Sequence, residues 1–132
     1  VQGVDDSDPA ALFTAAARVL DGLGVASLEL REPGSQSSFL SSDVAPVSPL
    51  IRPLFRGALI LNSDYVADTA EQRLREGVAD AISFGRPWIA NPDLVERFRA
   101  GAPLNEPDVK TYYSQGAEGY TDYPTLAERR AA

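Results

Sequence analysis

Three short apolar runs, Val25 to Leu30, Ala58 to Leu61 and Ala81 to Phe84, begin about thirty and then about twenty-five residues apart, with amphipathic segments between them. Parallel strands need a crossover long enough to carry a helix, and that interval accommodates one. The spacing therefore predicts an α/β chain of βα units. The run Ala58-Leu59-Ile60-Leu61 is continuously apolar, which predicts a strand buried on both faces.

The helix boundaries are marked by local chemistry. Asp8 is placed to cap a helix whose first residue, Pro9, has no N–H to lose. Leu12, Phe13, Ala16, Val19, Leu20 and Leu23 form one stripe, and Gly24 stands where a left-handed stop belongs. A turn at Arg31-Glu32-Pro33-Gly34 ends the first strand, and a serine-rich loop runs from Ser35 to Ser42. A short helical pattern lies between Val47 and Phe55, and a second amphipathic helix over Val66 to Glu76 sets Val66, Ala70 and Leu74 on one side, with Gly77 as its stop. Asn91-Pro92 repeats the cap-and-proline start, with Leu94, Val95 and Phe98 as the apolar face and Gly101 as the end. From Ala102 to Tyr123 the chain reads as irregular.

Three parallel strands have two open edges, and helix stripes of this width are suited to a larger sheet. The fold is expected to be incomplete by itself. With 44% hydrophobic and 23% charged residues the 132-residue chain has a globular composition. It has no cysteine and no histidine, which excludes thiolate chemistry, the usual zinc sites and any histidine-based triad. A net charge of −7 and a single lysine argue against nucleic-acid binding. The absence of a long apolar run argues against a membrane span, so the expected setting is soluble and cytoplasmic. Position 1 is Val and the chain lacks Met, which predicts a processed product or a piece of something longer.

Ligands of parallel α/β folds bind at the carboxyl ends of the strands. Two segments occupy such places. Asn62-Ser63-Asp64-Tyr65 leads from the second strand toward a helix N-terminus, where free N–H groups favour an anion. Gly85-Arg86-Pro87-Trp88 follows the third strand as a loop, with Gly85 open to close backbone approach and Arg86 offering a bidentate fork. A turn, a helix cap and an Arg86 salt bridge account for the same residues. The aromatic group Trp88, Tyr112, Tyr113, Tyr120 and Tyr123 suits either a planar ligand or the packing of a long tail. Glu29 and Glu32 lie too near a strand end and turn to read as an acid and base pair, and Asp5, Asp6 and Asp8 read as solvent and cap residues.

The stretch Phe84-Gly85-Arg86-Pro87-Trp88-Ile89-Ala90-Asn91-Pro92-Asp93-Leu94, then Arg97, Pro103-Leu104-Asn105 and Gly119-Tyr120-Thr121-Asp122-Tyr123-Pro124, closely resembles the C-terminal signature of the Old Yellow Enzyme family. Asp6-Ser7-Asp8-Pro9, Leu28-Glu29-Leu30-Arg31-Glu32-Pro33 and Phe55-Arg56-Gly57-Ala58-Leu59-Ile60 resemble its upstream segments. The resemblance implies that residues 1–132 are the last three βα units, strands six to eight plus tail, of one (β/α)₈ TIM-barrel domain. It implies a flavin-dependent ene reductase in which NAD(P)H reduces FMN and hydride passes to an activated alkene such as an enone. It also implies a partner segment carrying the other five strands. Ser63, Asp64, Gly85 and Arg86 then hold the FMN phosphate, while Trp88 and Tyr113 line the substrate pocket. Many relatives have Gly or Ala at the positions of Ser63 and Asp64, so the Asp64 side chain must turn away. The family's carbonyl-binding histidines and proton donor have no counterpart here, so no catalytic residue and no metal ligand is expected in this chain. An autonomous flavin or phosphate carrier, or an inactive remnant, is the alternative.

Overall fold

The computed structural model describes residues 6–32, 34 and 42–131. They form two compact units, Val1–Ser83 and Phe84–Ala132. Pro33, most of the serine-rich loop and Asp5 lie outside the described residues.

The first unit runs α1 (Pro9–Gly22), β1 (Ser27–Arg31), α2 (Ser48–Ile51), β2 (Ala58–Asn62), α3 (Ala67–Arg75) and β3 (Ala81–Ser83). Its three strands are parallel in the order β1-β2-β3. Helix α1 starts as its sequence dictates: Asp8 Oδ1 accepts from Ala11 N at 3.0 Å, and Pro9 is the first helical residue. Gly24 follows its end at φ 70°.

The register sorts the sheet into two faces. Leu28 pairs with Leu59, Leu30 with Leu61, and Leu61 in turn with Ile82, on the face that packs with Ala17, Ile51, Phe55 and Ala79 into the core. Each fully buried Leu, Ile or Phe side chain contributes on the order of 1.5–3 kcal/mol. The opposite face carries Glu29, Ile60 and Ala81 in one row and Arg31, Asn62 and Ser83 in the next. Burial in β2 accordingly alternates: Leu59 and Leu61 are buried, Ile60 is half-buried and Ala58 exposed. The expectation of a strand buried on both faces is thus corrected, because among the described residues the second face of β2 is only half-buried. The apolar stripe of α1 has the same character. Leu12, Phe13, Val19 and Leu23 are exposed, and the buried residue of that helix is Ala17.

The foot of the sheet is locked by Asp80. Its carboxylate accepts from Leu59 N at 2.8 Å and from Arg52 Nη1 at 2.5 Å, while Arg52 Nη2 donates to the Phe55 carbonyl at 2.9 Å. Gly57 is required here, since a Cβ would lie 2.5 Å from the Phe55 ring and 2.7 Å from the Ala26 carbonyl oxygen. Val66 is the extended N-cap of α3 and is exposed, so that helix buries Ala70 alone of the predicted stripe.

The second unit contains α4 (Arg86–Ala90), α5 (Leu94–Ala100), a 3₁₀ turn at Val109–Thr111 and α6 (Leu126–Ala131). Two expectations change. The segment predicted as a loop from Gly85 to Trp88 enters a helix at Arg86. Asn91 does not cap α5, whose N-cap is Asp93; Asn91 is instead fully buried, with Nδ2 donating to the Pro87 carbonyl at 2.8 Å. Gly101 ends α5 at φ 57°, and residues 102–123 are irregular apart from the 3₁₀ turn.

Candidate functional site

In the first unit, Ser63 and Asp64 leave the carboxyl end of β2 and precede α3. Ser63 is half-buried and Asp64 exposed. The N-terminus of α3 is tied off locally, with Val66 N donating to Thr69 Oγ1 at 3.1 Å. Both residues border one end of a cleft of about 680 Å³ between α2 and α3, which also takes in Glu32, Arg52, Tyr65 and Arg73. Burial pushes the Tyr65 phenol above its ordinary value against the opposing pull of the Arg73 cation, so it remains protonated at neutral pH. Glu32 has a structural duty: its Oε1 accepts from Val47 N at 2.6 Å and Ser48 N at 2.7 Å, capping α2.

In the second unit, Gly85 is exposed and Arg86 half-buried at the start of α4. A Cβ at Gly85 would meet nothing within 4 Å, and its φ of −96° is open to any residue. No contact within the chain therefore requires glycine there. Trp88 is 51% exposed and Tyr113 91% exposed, so neither is buried by the described residues of this chain. Tyr112 and Tyr123 do pack. The Tyr123 hydroxyl accepts from Asp108 N at 2.8 Å, whereas the Tyr112 hydroxyl is buried without a hydrogen-bond partner. Burial raises the Tyr112 phenol, opposed by the nearby Arg86 cation.

The remaining signature residues prove to be a clamp that sequence reasoning did not anticipate. Arg97 is fully buried, with Nε on Asp93 Oδ1 at 2.6 Å, Nη1 on the Pro103 carbonyl at 2.7 Å and Nη2 on the Pro124 carbonyl at 2.9 Å. Asn105 accompanies it, its N donating to Asn91 Oδ1 at 2.7 Å and its Nδ2 to the carbonyls of Ala90 and Pro124, each at 2.8 Å. The Asp93 to Arg97 spacing of one helical turn was the only local signal. Together these bonds hold the irregular segment bearing Tyr112 and Tyr113 to α4 and α5. Gly119 completes the fit, because a Cβ there would overlap the Thr111 side chain.

Among the described residues no cluster of three or more acidic, histidine or cysteine side chains is arranged for a metal, and no helix is long and apolar enough to cross a membrane.

No family model matches the chain. It is 41% identical over 125 residues to a 12-oxophytodienoate reductase-like protein of Solanum lycopersicum, a match covering 94% of this chain and 33% of that protein. It is 44% identical over 75 residues, 57% of this chain and 20% of the other, to a probable flavin mononucleotide-dependent alkene reductase of Leishmania infantum. The solved old yellow enzyme homologue of Zymomonas mobilis superposes with a TM-score of 0.92 and 48% identity over 96% of this chain and 36% of that one. The chain thus spans about a third of the length of the Solanum lycopersicum relative and of the solved homologue. Since sequence and fold agree along nearly its whole length, it belongs to the Old Yellow Enzyme family and carries three βα units of that family's barrel.

Proposed function

We propose that this chain is the C-terminal portion of a flavin-dependent ene reductase and works together with a segment supplying the other five strands of the barrel. The observation that carries the reading is a three-stranded parallel sheet, its second face only half-buried in β2, in a chain that matches a third of a barrel enzyme at a TM-score of 0.92. Bound FMN supplies the redox chemistry, taking reducing equivalents from NAD(P)H and delivering hydride to an electron-poor C=C bond.

The residues of this chain grip and shape. Arg86 offers a guanidinium fork to the FMN phosphate, Ser63 a hydroxyl and its backbone N–H, and Gly85 an N–H beside a Cα with open space where a side chain would stand. Guanidinium, hydroxyl and backbone N–H are donor types that suit a phosphate. Asp64 is the exception in charge, and its exposure lets the carboxylate stay in solvent while its backbone N–H serves. Trp88 and Tyr113 present aromatic surface to the substrate, and the Arg97 clamp keeps Tyr113 in place. Histidines and the proton donor come from the complementary segment.

Co-expression with a barrel segment carrying the other strands tests the reading. A yellow complex containing both polypeptides and FMN, oxidising NAD(P)H when given an enone, is the expected result. A colourless assembly overturns it, and the chain binding FMN alone as a monodisperse monomer replaces it with an autonomous carrier.

A further inference from the structure

On the second face of the sheet, one polar side chain from each strand joins a single network. The Ser83 hydroxyl donates to Glu29 Oε1 at 2.6 Å and accepts from Asn62 Nδ2 at 2.8 Å, and Asn62 Nδ2 also reaches the Ser83 carbonyl at 3.3 Å. Asn62 and Ser83 are the last paired residues of β2 and β3. β3 is only three residues long, so few ladder bonds hold its carboxyl end and these three side-chain bonds weigh heavily there. The other paired residues on this face are the apolar Ile60 and Ala81 and, beside Asn62, Arg31.

We propose that Glu29, acting through Ser83 and Asn62, is a positioning residue for the FMN-phosphate loops, setting the spacing between the carboxyl ends of β2 and β3. Ser63 and Asp64 continue directly from Asn62, and Gly85 and Arg86 follow Ser83 by two and three residues. The carboxylate makes the Ser83 bond charge-assisted, and the shared hydroxyl, with its donor and its acceptor both engaged, transmits the position of β1 to the other two strands. This rests on the phosphate reading given above.

The test measures FMN and riboflavin affinity in the complemented enzyme, since riboflavin lacks the phosphate. Ser83→Ala and Glu29→Ala are expected to weaken FMN by about tenfold, with riboflavin changed less than about twofold. Glu29→Gln, whose amide oxygen still accepts from Ser83, should recover most of the FMN affinity. Retained riboflavin binding reports that each variant is folded. Equal losses for both flavins, or Glu29→Gln binding FMN no better than Glu29→Ala, overturn the inference. So does full FMN affinity in Ser83→Ala when Arg86→Ala has lost it, an outcome that leaves the phosphate reading intact. Arg86→Ala keeping its preference for FMN over riboflavin overturns the phosphate reading and the inference with it.

Discussion

Arg97 and Pro124 stand 27 residues apart in the chain, yet the guanidinium of the first donates to the carbonyl of the second at 2.9 Å. The same side chain also binds Asp93 and the Pro103 carbonyl, so one fully buried cation ties α5 to both ends of the irregular segment. Removing it leaves Asp93 Oδ1 and the Pro103 carbonyl short of a partner, while the Pro124 carbonyl keeps the bond from Asn105 Nδ2. Arg97→Met is therefore expected to destabilise the second unit by about 3–5 kcal/mol. Limited proteolysis of the complemented enzyme checks this: cleavage should appear first between residues 102 and 123, before the first unit is cut.

The partner of that cation has its own pH signature. Burial alone would raise the Asp93 carboxyl, but the bonds from Arg97 and from Leu126 N outweigh it and hold the group below its ordinary value of 3.8. Around that pH the unfolded chain binds more protons at this site than the folded one. The contribution is complete above the unfolded value and is lost as pH falls through the lower, folded value. Following the Leu126 amide by NMR during acidification should show the contact surviving down to a pH below the ordinary Asp value before it fails, with Asp93→Asn weakening it at neutral pH and flattening the transition.

Arg86→Ala is expected to release FMN far more than it disturbs folding. A hydrogen bond to a charged group contributes on the order of 1.5–3 kcal/mol, corresponding to roughly a tenfold to hundredfold loss of affinity. Flavin titration of the complemented wild type and variant measures it, and an unchanged dissociation constant returns Arg86 to an internal ion pair.

Trp88 and Tyr113 are too exposed to be core, so truncation should spare stability and alter selectivity. Trp88→Ala is expected to change the ratio of turnover between bulky and small enones by the equivalent of roughly 1–3 kcal/mol, with FMN content unchanged. Loss of flavin without a change in substrate ranking would remove Trp88 from the pocket wall.

The chain by itself should associate. Among the described residues β1 and β3 are unpaired on their outer edges, and Leu12, Phe13, Val19 and Leu23 expose apolar surface along α1. Size exclusion of the isolated chain should show aggregates or poorly protected amides, and addition of the complementary segment should restore a single species. A protected monomer would contradict this.

Wherever the deciding interaction spans a few residues, the sequence by itself determined the outcome. Asp8 caps α1 through a bond to Ala11, Gly101 ends α5 in the left-handed region, and the spacing of the apolar runs dictates parallel strands. That Ser63 and Asp64 follow β2 and that Gly85 and Arg86 follow β3 was likewise legible, because strand ends are local patterns. Tertiary structure decided the rest. Helix α4 has five residues, too few to stand on propensity, since nucleating a helix costs more than one turn returns, and it persists with Asn91 and Asn105 bonded to its carbonyls. Glu29 and Ser83 are 54 residues apart, and Asn105 and Pro124 are 19 apart. No periodicity links such pairs. A buried polar side chain takes whichever partner the packed chain brings within about 3 Å, and that choice exists only after the strands and helices have come together.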